Sequence, residues 1–76
     1  MGKLQIGEFK RFSRRETTIF KMLITEHRSE EIAKALNLSE KTIGTYKFRL
    51  LAKTKSKTII GLYLFSLRPD IEKFFV

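Results

Sequence analysis

Hydrophobic residues recur along this chain at helical spacing in four blocks divided by short polar stretches. In the first, Ile19, Phe20, Leu23 and Ile24 fall on one face between Glu16 and Glu26, with Met22 at its margin; steps of three and four stack side chains on one side of an α-helix. Ser13 followed by Glu16 has the form of a capping box, in which hydroxyl and carboxylate each satisfy a backbone N–H left free by the first turn, so the helix is expected to begin there. The polar run Thr25, Glu26, His27, Arg28 interrupts the pattern. Ser29 then offers a cap ahead of Glu30 and Glu31, whose charges suit the positive end of a helix dipole. Ile32, Ala33 and Leu36 are the inward positions of this short second helix, which stops near Asn37, a residue that tolerates left-handed backbone.

A third cap, Ser39, opens a longer helix from Glu40 to about Thr54, where Ile43, Tyr46 or Lys47, Leu50 and Leu51 keep the same period. The last block, from about Ser56 to Leu67, carries Ile59, Ile60, Leu62, Tyr63 and Phe65, apolar almost all round, which is the pattern of a helix covered on more than one side. Pro69 ends it, and residues 70–76 are expected to add one turn or to fray. The opening residues alternate loosely at Leu4 and Ile6 before turning basic. The expectation is therefore an all-α fold: a small four-helix domain over residues 13–67 with a central helix-turn-helix, an N-terminal arm or linker over 1–12 and a tail over 68–76.

Size and composition narrow the function. A chain of 76 residues makes one domain, and a domain this small buries only about 60% of its unfolded surface. With 42% hydrophobic and 32% charged residues it can still close a core. Without cysteine there is neither a disulfide nor a thiolate zinc site to brace it. The apolar run Ile59 to Phe65 falls far short of the roughly 20 residues that span a bilayer, and the opening residues lack a signal-peptide pattern, so a cytoplasmic location is expected. Sixteen Lys and Arg against eight Asp and Glu leave a net charge of +8. A charge of that size on so small a body attracts polyanions: nucleic acid, an anionic membrane surface or an acidic protein. A membrane-surface helix needs a basic face opposite a large apolar one, whereas the last helix is nearly free of charge, so no membrane partner is expected.

The second helix, a three-residue turn and the third helix form a helix-turn-helix, in which the first element braces the second against the major groove. Charge agrees with this placement. From Lys41 to Lys57 there are six basic residues (Lys41, Lys47, Arg49, Lys53, Lys55, Lys57) and no acid. With Ile43, Leu50 and the Tyr46 ring turned inward, Lys41, Gly44, Thr45, Phe48, Arg49 and Ala52 turn outward. Thr45 suits a base edge or a thymine methyl, Phe48 only the methyl, and Arg49 a bidentate guanine contact, with Lys41 also among the base-reading positions. Thr42, Lys47, Lys53, Lys55 and Lys57 are the expected phosphate contacts. Gly44 costs about 1 kcal/mol relative to Ala in a helix interior, which suggests that another surface approaches closely there. The competing readings are a merely solvated charged face and, for Phe48, packing beneath the N-terminal arm.

Residues Phe12 to Lys53 resemble the LuxR/GerE-type helix-turn-helix domains of bacterial regulators and NarL-type response regulators. The family's "L-T-x-R-E" appears as Phe12-Ser13-Arg14-Arg15-Glu16, and its "E-I-A-x-x-L-x-I-S-x-x-T-V" as Glu31-Ile32-Ala33-Lys34-Ala35-Leu36-Asn37-Leu38-Ser39-Glu40-Lys41-Thr42-Ile43. The resemblance implies sequence-specific binding of double-stranded DNA in transcription regulation, with the third helix reading DNA. It also implies a homodimer through the fourth helix (Ile59, Ile60, Leu62, Tyr63), RNA polymerase as a further partner, Thr42 on a phosphate, and Glu16 paired with a basic residue inside the domain. Departures occur at Glu26 and Arg28, where Gly and a capping Ser are usual, at Gly44, Tyr46 and Phe48 in the third helix, and at Lys53-Thr54-Lys55-Ser56 in place of "K-L-G-V". The family's base preference therefore does not transfer to this chain.

An enzyme finds little support: the one histidine, His27, stands in a loop, and no paired inward carboxylates divide acid and base work. No catalytic residue, metal, cofactor or small-molecule ligand is expected. The alternative of a different class is a helix-turn-helix-derived interaction module that binds a protein or RNA and modulates another regulator.

Overall fold

In a computed structural model, residues 11–75 are described, and among them the chain is all-helical. Four α-helices follow in order, α1 (Arg14–Leu23), α2 (Ser29–Leu36), α3 (Glu40–Thr54) and α4 (Ile59–Ser66), and then a 3-10 turn over Ile71–Phe74. α3 packs against each of the other three helices, so it is the spine of the domain.

The starts and stops follow from backbone chemistry. At α1 the full capping box forms: the Glu16 N–H donates to Ser13 Oγ at 3.1 Å and the Ser13 N–H to Glu16 Oε1 at 2.8 Å. At α2 the cap position belongs to Arg28, not Ser29. Arginine has no acceptor with which to cap, and only the reciprocal half of a box is made, the Arg28 N–H donating to Glu31 Oε1 at 2.8 Å. Ser39 caps α3 by accepting from the Thr42 N–H at 3.0 Å.

Asn37 and Lys55 end α2 and α3 in left-handed backbone, each with φ of 57°. The N–H of Leu38 reaches the Ala33 carbonyl at 2.8 Å and that of Ser56 the Leu51 carbonyl at 2.9 Å, the bonds of a Schellman ending. The reversal at Lys55 carries Ser56 out of helical geometry, which is why α4 begins at Ile59 and not near Ser56. Glu26 also takes a positive φ, 66°, in the turn after α1. Glu26, standing where the resembled family usually has glycine, thus holds left-handed backbone, and α1 stops at Leu23 before the expected Glu26.

The core is Phe12, Ile19, Phe20, Leu23, Ile32, Ala33, Ile43, Leu50 and Leu62. Phe12 corrects the expected boundary. Of the arm assigned to residues 1–12, residues 1–10 lie outside the described set, while Phe12 is fully buried, 5.1 Å from Phe20 between ring centroids. Its N–H donates to the Phe74 carbonyl at 2.7 Å, and Phe65, Phe74 and Phe75 complete an aromatic cluster around it. The 3-10 turn therefore closes the core against the entry of the chain. Gly61 allows α4 to settle on the loop before it, since a Cβ there would stand 2.8 Å from the Ser56 Cβ.

Candidate nucleic-acid interface

α2, the turn Asn37–Leu38–Ser39 and α3 place one long helical face in solvent. Ile43 and Leu50 are buried, and Tyr46 and Leu51 pack partly on the core. The opposite side, Lys41, Gly44, Thr45, Phe48, Arg49 and Ala52, is exposed throughout. The periodicity thus sets the orientation of α3 about its axis, because Ile43 and Leu50 have room only between the other helices.

The exposed face differs from residue to residue. Thr45 is exposed, and its Oγ1 donates to the Lys41 carbonyl at 3.2 Å. The Arg49 guanidinium lies 5.6 Å from the centre of the Tyr46 ring, a cation–π contact that steadies the side chain while its N–H fork stays open to solvent. Phe48 is 72% exposed. A Cβ added to Gly44 would meet nothing within 4 Å, so no part of the described domain explains the glycine. Thr42 sits in the first turn of α3 with its Oγ1 accepting from Ser39 Oγ at 2.9 Å.

Among the five residues expected on phosphates, Lys53 is placed differently. Its ammonium is 2.7 Å from Glu16 Oε1 and also donates to the Arg11 carbonyl at 3.0 Å. Lys53 is therefore the basic partner of Glu16, and its charge is spent inside the domain. Burial pushes the Glu16 carboxyl up, but the hydrogen bond from Lys53, the Ser13 N–H, the Lys53 charge and the Ser13 hydroxyl together outweigh it and hold the carboxyl below its ordinary range. Lys47 is half-buried, Lys55 and Lys57 are exposed, and none of Lys41, Lys47, Arg49, Lys55 and Lys57 has an ion-pair partner among the described residues. The cationic set thus runs from the N-terminal half of α3 to the loop beyond it.

The residues expected to pair two copies divide in two. Leu62 is fully buried and Ile59 packs partly on the core, so Leu62 cannot face a partner. Ile60 and Tyr63 are exposed, joined by Leu64 and Leu67, which the sequence reading did not single out. On an all-apolar helix no polar residue marks the outer face, and only its packing on α3 reveals it.

Elsewhere the site chemistry is plain. His27 Nδ1 lies 2.9 Å from Thr25 Oγ1 and 3.0 Å from the Met22 carbonyl, within the turn after α1. No cluster of His, Asp and Glu suited to a metal ion occurs among the described residues, and no helix there is long and apolar enough to cross a membrane.

Comparison with known proteins agrees with this geometry. The luxR family of bacterial regulatory proteins (GerE) matches residues 10–66. The DNA-binding transcriptional activator EvgA of Escherichia coli K12 is 32% identical over 59 residues, 78% of this chain and 29% of its own length, and EvgA of Shigella flexneri matches equally. A Pseudomonas aeruginosa relative that carries the name of a transcriptional regulator is 37% identical over 59 residues, 78% of this chain and 28% of its own length. The chain thus spans under a third of the length of these curated relatives. No solved structure matches it.

Proposed function

The chain belongs to the luxR family of bacterial regulatory proteins, and from that premise we propose that it binds specific double-stranded DNA by laying the exposed face of α3 in the major groove, and so regulates transcription. One observation carries the reading: Lys41, Gly44, Thr45, Phe48 and Arg49 emerge together from a single helix face, flanked by cations that the described residues leave unpaired. In this arrangement Lys41, Thr45, Phe48 and Arg49 meet base edges, while Thr42, Lys47, Lys55 and Lys57 hold phosphates and set the register. Lys53 leaves the phosphate set for a structural role.

We assign pairing of two copies to Ile60, Tyr63, Leu64 and Leu67, an exposed apolar patch at one side of the domain with an edge at Ile59. We further propose RNA polymerase as a partner, a reading favoured by the transcriptional activator EvgA among the chain's relatives, and a cytoplasmic setting. Selection from a random duplex library tests the reading. Enrichment of an inverted repeat supports specific, dimeric binding, whereas recovery of no preferred duplex contradicts it.

A second reading, an interaction module for protein or RNA, draws on the apolar Phe48 in the middle of the face. Salt separates the two, because a protein that neutralises several phosphates loses orders of magnitude in duplex affinity over a few-fold rise in salt.

A further inference from the structure

The middle of the α3 face is apolar where its surroundings are cationic. Phe48 is 72% exposed, more than any other large hydrophobic side chain among the described residues. The rings of Phe12, Phe20, Phe65, Phe74 and Phe75 hold one another in the core cluster, and Phe48 has no share in that network. One helical turn before it on the same face is Gly44, beside open space. Thr45, whose hydroxyl donates to the Lys41 carbonyl, and Arg49, whose guanidinium lies over the Tyr46 ring, share the exposed face with it. Packing among the described residues accounts for neither the exposed ring nor the missing side chain.

In a major groove each accounts for the other. An aromatic hydrocarbon ring has no hydrogen bond to offer a base edge. Against the amino group of adenine or cytosine, or the O6 and N7 of guanine, it would remove water from a polar atom and return nothing, an unfavourable exchange. The apolar feature the groove does present is the methyl group on C5 of thymine, and 5-methylcytosine carries the same group at the same place. A side chain at position 44 would hold the helix off the groove floor, whereas glycine lets the backbone approach until a ring one turn further on reaches the methyl.

We infer that Phe48 is a specificity-determining residue that reads a C5-methylated pyrimidine, with Gly44 setting the depth at which α3 lies. The inference rests on the DNA-binding reading and narrows it: the recognition sequence contains, near the middle of each half-site, a pyrimidine whose methyl group contributes to affinity, flanked by positions read through Thr45 and Arg49.

The test uses the full chain and a labelled duplex recovered from the random library, in which each thymine is replaced singly by deoxyuridine, an exchange that removes only the methyl. One position in each half-site is expected to lose about fourfold in affinity on this exchange, the equivalent of about 0.8 kcal/mol for one buried methyl-sized group. Phe48→Ala is expected to bind the thymine and deoxyuridine duplexes alike, and Phe48→Leu to keep part of the difference. At the same position, cytosine and 5-methylcytosine opposite guanine identify the source: recovery of affinity by 5-methylcytosine up to or beyond that of thymine points to a methylation mark, and a clear preference for thymine points to ordinary sequence readout. Indifference of the parent chain to every deoxyuridine exchange overturns the inference without touching DNA binding, as does equal sensitivity in Phe48→Ala, which would leave a protein partner as the occupant of the ring. Failure to recover any preferred duplex, by contrast, removes the DNA-binding reading itself.

Discussion

The ammonium of Lys53 and the carboxylate of Glu16 meet at 2.7 Å and tie the last turn of α3 to the first turn of α1. The same carboxylate closes the capping box with Ser13, and the same ammonium holds the Arg11 carbonyl. The orientation of α3 is thereby joined to the point where the chain enters the domain. The side chain of Glu16 is only 6% exposed, so its charge depends on these partners.

Lys53→Ala leaves that buried carboxylate with the Ser13 N–H as its remaining strong donor. Stability is expected to fall by about 2 kcal/mol, the scale of a hydrogen bond to a charged group, as measured by urea denaturation. The salt dependence of duplex binding should stay as in the parent chain. A shallower salt slope in this variant would return Lys53 to the phosphate contacts.

The same pair makes stability depend on pH in the acid range. Because folding lowers the Glu16 pKa, the stabilisation it brings is fully present above the ordinary glutamate value of about 4.3 and is lost as pH falls through the lower folded value. Denaturation curves of the parent chain should weaken on acidification through that window. Glu16→Gln, which has no proton to take up, should lack this part of the decline while being less stable at neutral pH.

Gly44→Ala separates fold from function by the sign of two effects. The added Cβ meets nothing within 4 Å, so the helix should gain roughly 0.5 to 1 kcal/mol in thermal or chemical denaturation. If α3 lies deep in the groove, the same methyl weakens duplex binding severalfold. A variant that is both more stable and an equal binder would show that the backbone at position 44 does not approach DNA.

Arg49 and Lys57 should fail in different ways. Arg49→Ala is expected to weaken binding to the selected duplex by about 1 to 3 kcal/mol while changing random duplex much less, as a base contact should. Lys57→Ala is expected to weaken all duplexes alike and to shallow the logarithmic salt slope by about one. Titrations of both variants against selected and random duplex over a salt series distinguish the roles.

Much of the architecture is legible in the sequence, for reasons visible in particular residues. Ser13 with Glu16, and Ser39, announce helix starts because their side chains replace the missing backbone partners of a first turn. Ile43 and Leu50 orient α3 because a seven-residue step returns almost to the same side of a helix, which turned Lys41, Thr45, Phe48 and Arg49 outward as observed. Local pattern could not reach the rest. Phe12 precedes the first helix, and Phe74 and Phe75 lie around a 3-10 turn, so no helical period connects them, and only the tertiary cluster shows them to be core. Six basic residues between 41 and 57 look alike in sequence, and which one turns back to Glu16 depends on how α1 crosses α3. Leu62, expected among the pairing residues, is buried, while Leu64, for which no role was expected, is exposed, because an all-apolar helix has no polar side to reveal which way it faces.

The central claim is that duplex DNA lies against the exposed face of α3. It is tested most directly by titrating isotope-labelled chain with the selected duplex and following every backbone amide by NMR. The largest perturbations are predicted at Lys41, Gly44, Thr45, Phe48 and Arg49, with smaller ones at Lys55 and Lys57. Perturbations centred instead on α1 or on the outer edge of α2, with the α3 face unmoved at saturating duplex, would contradict the account.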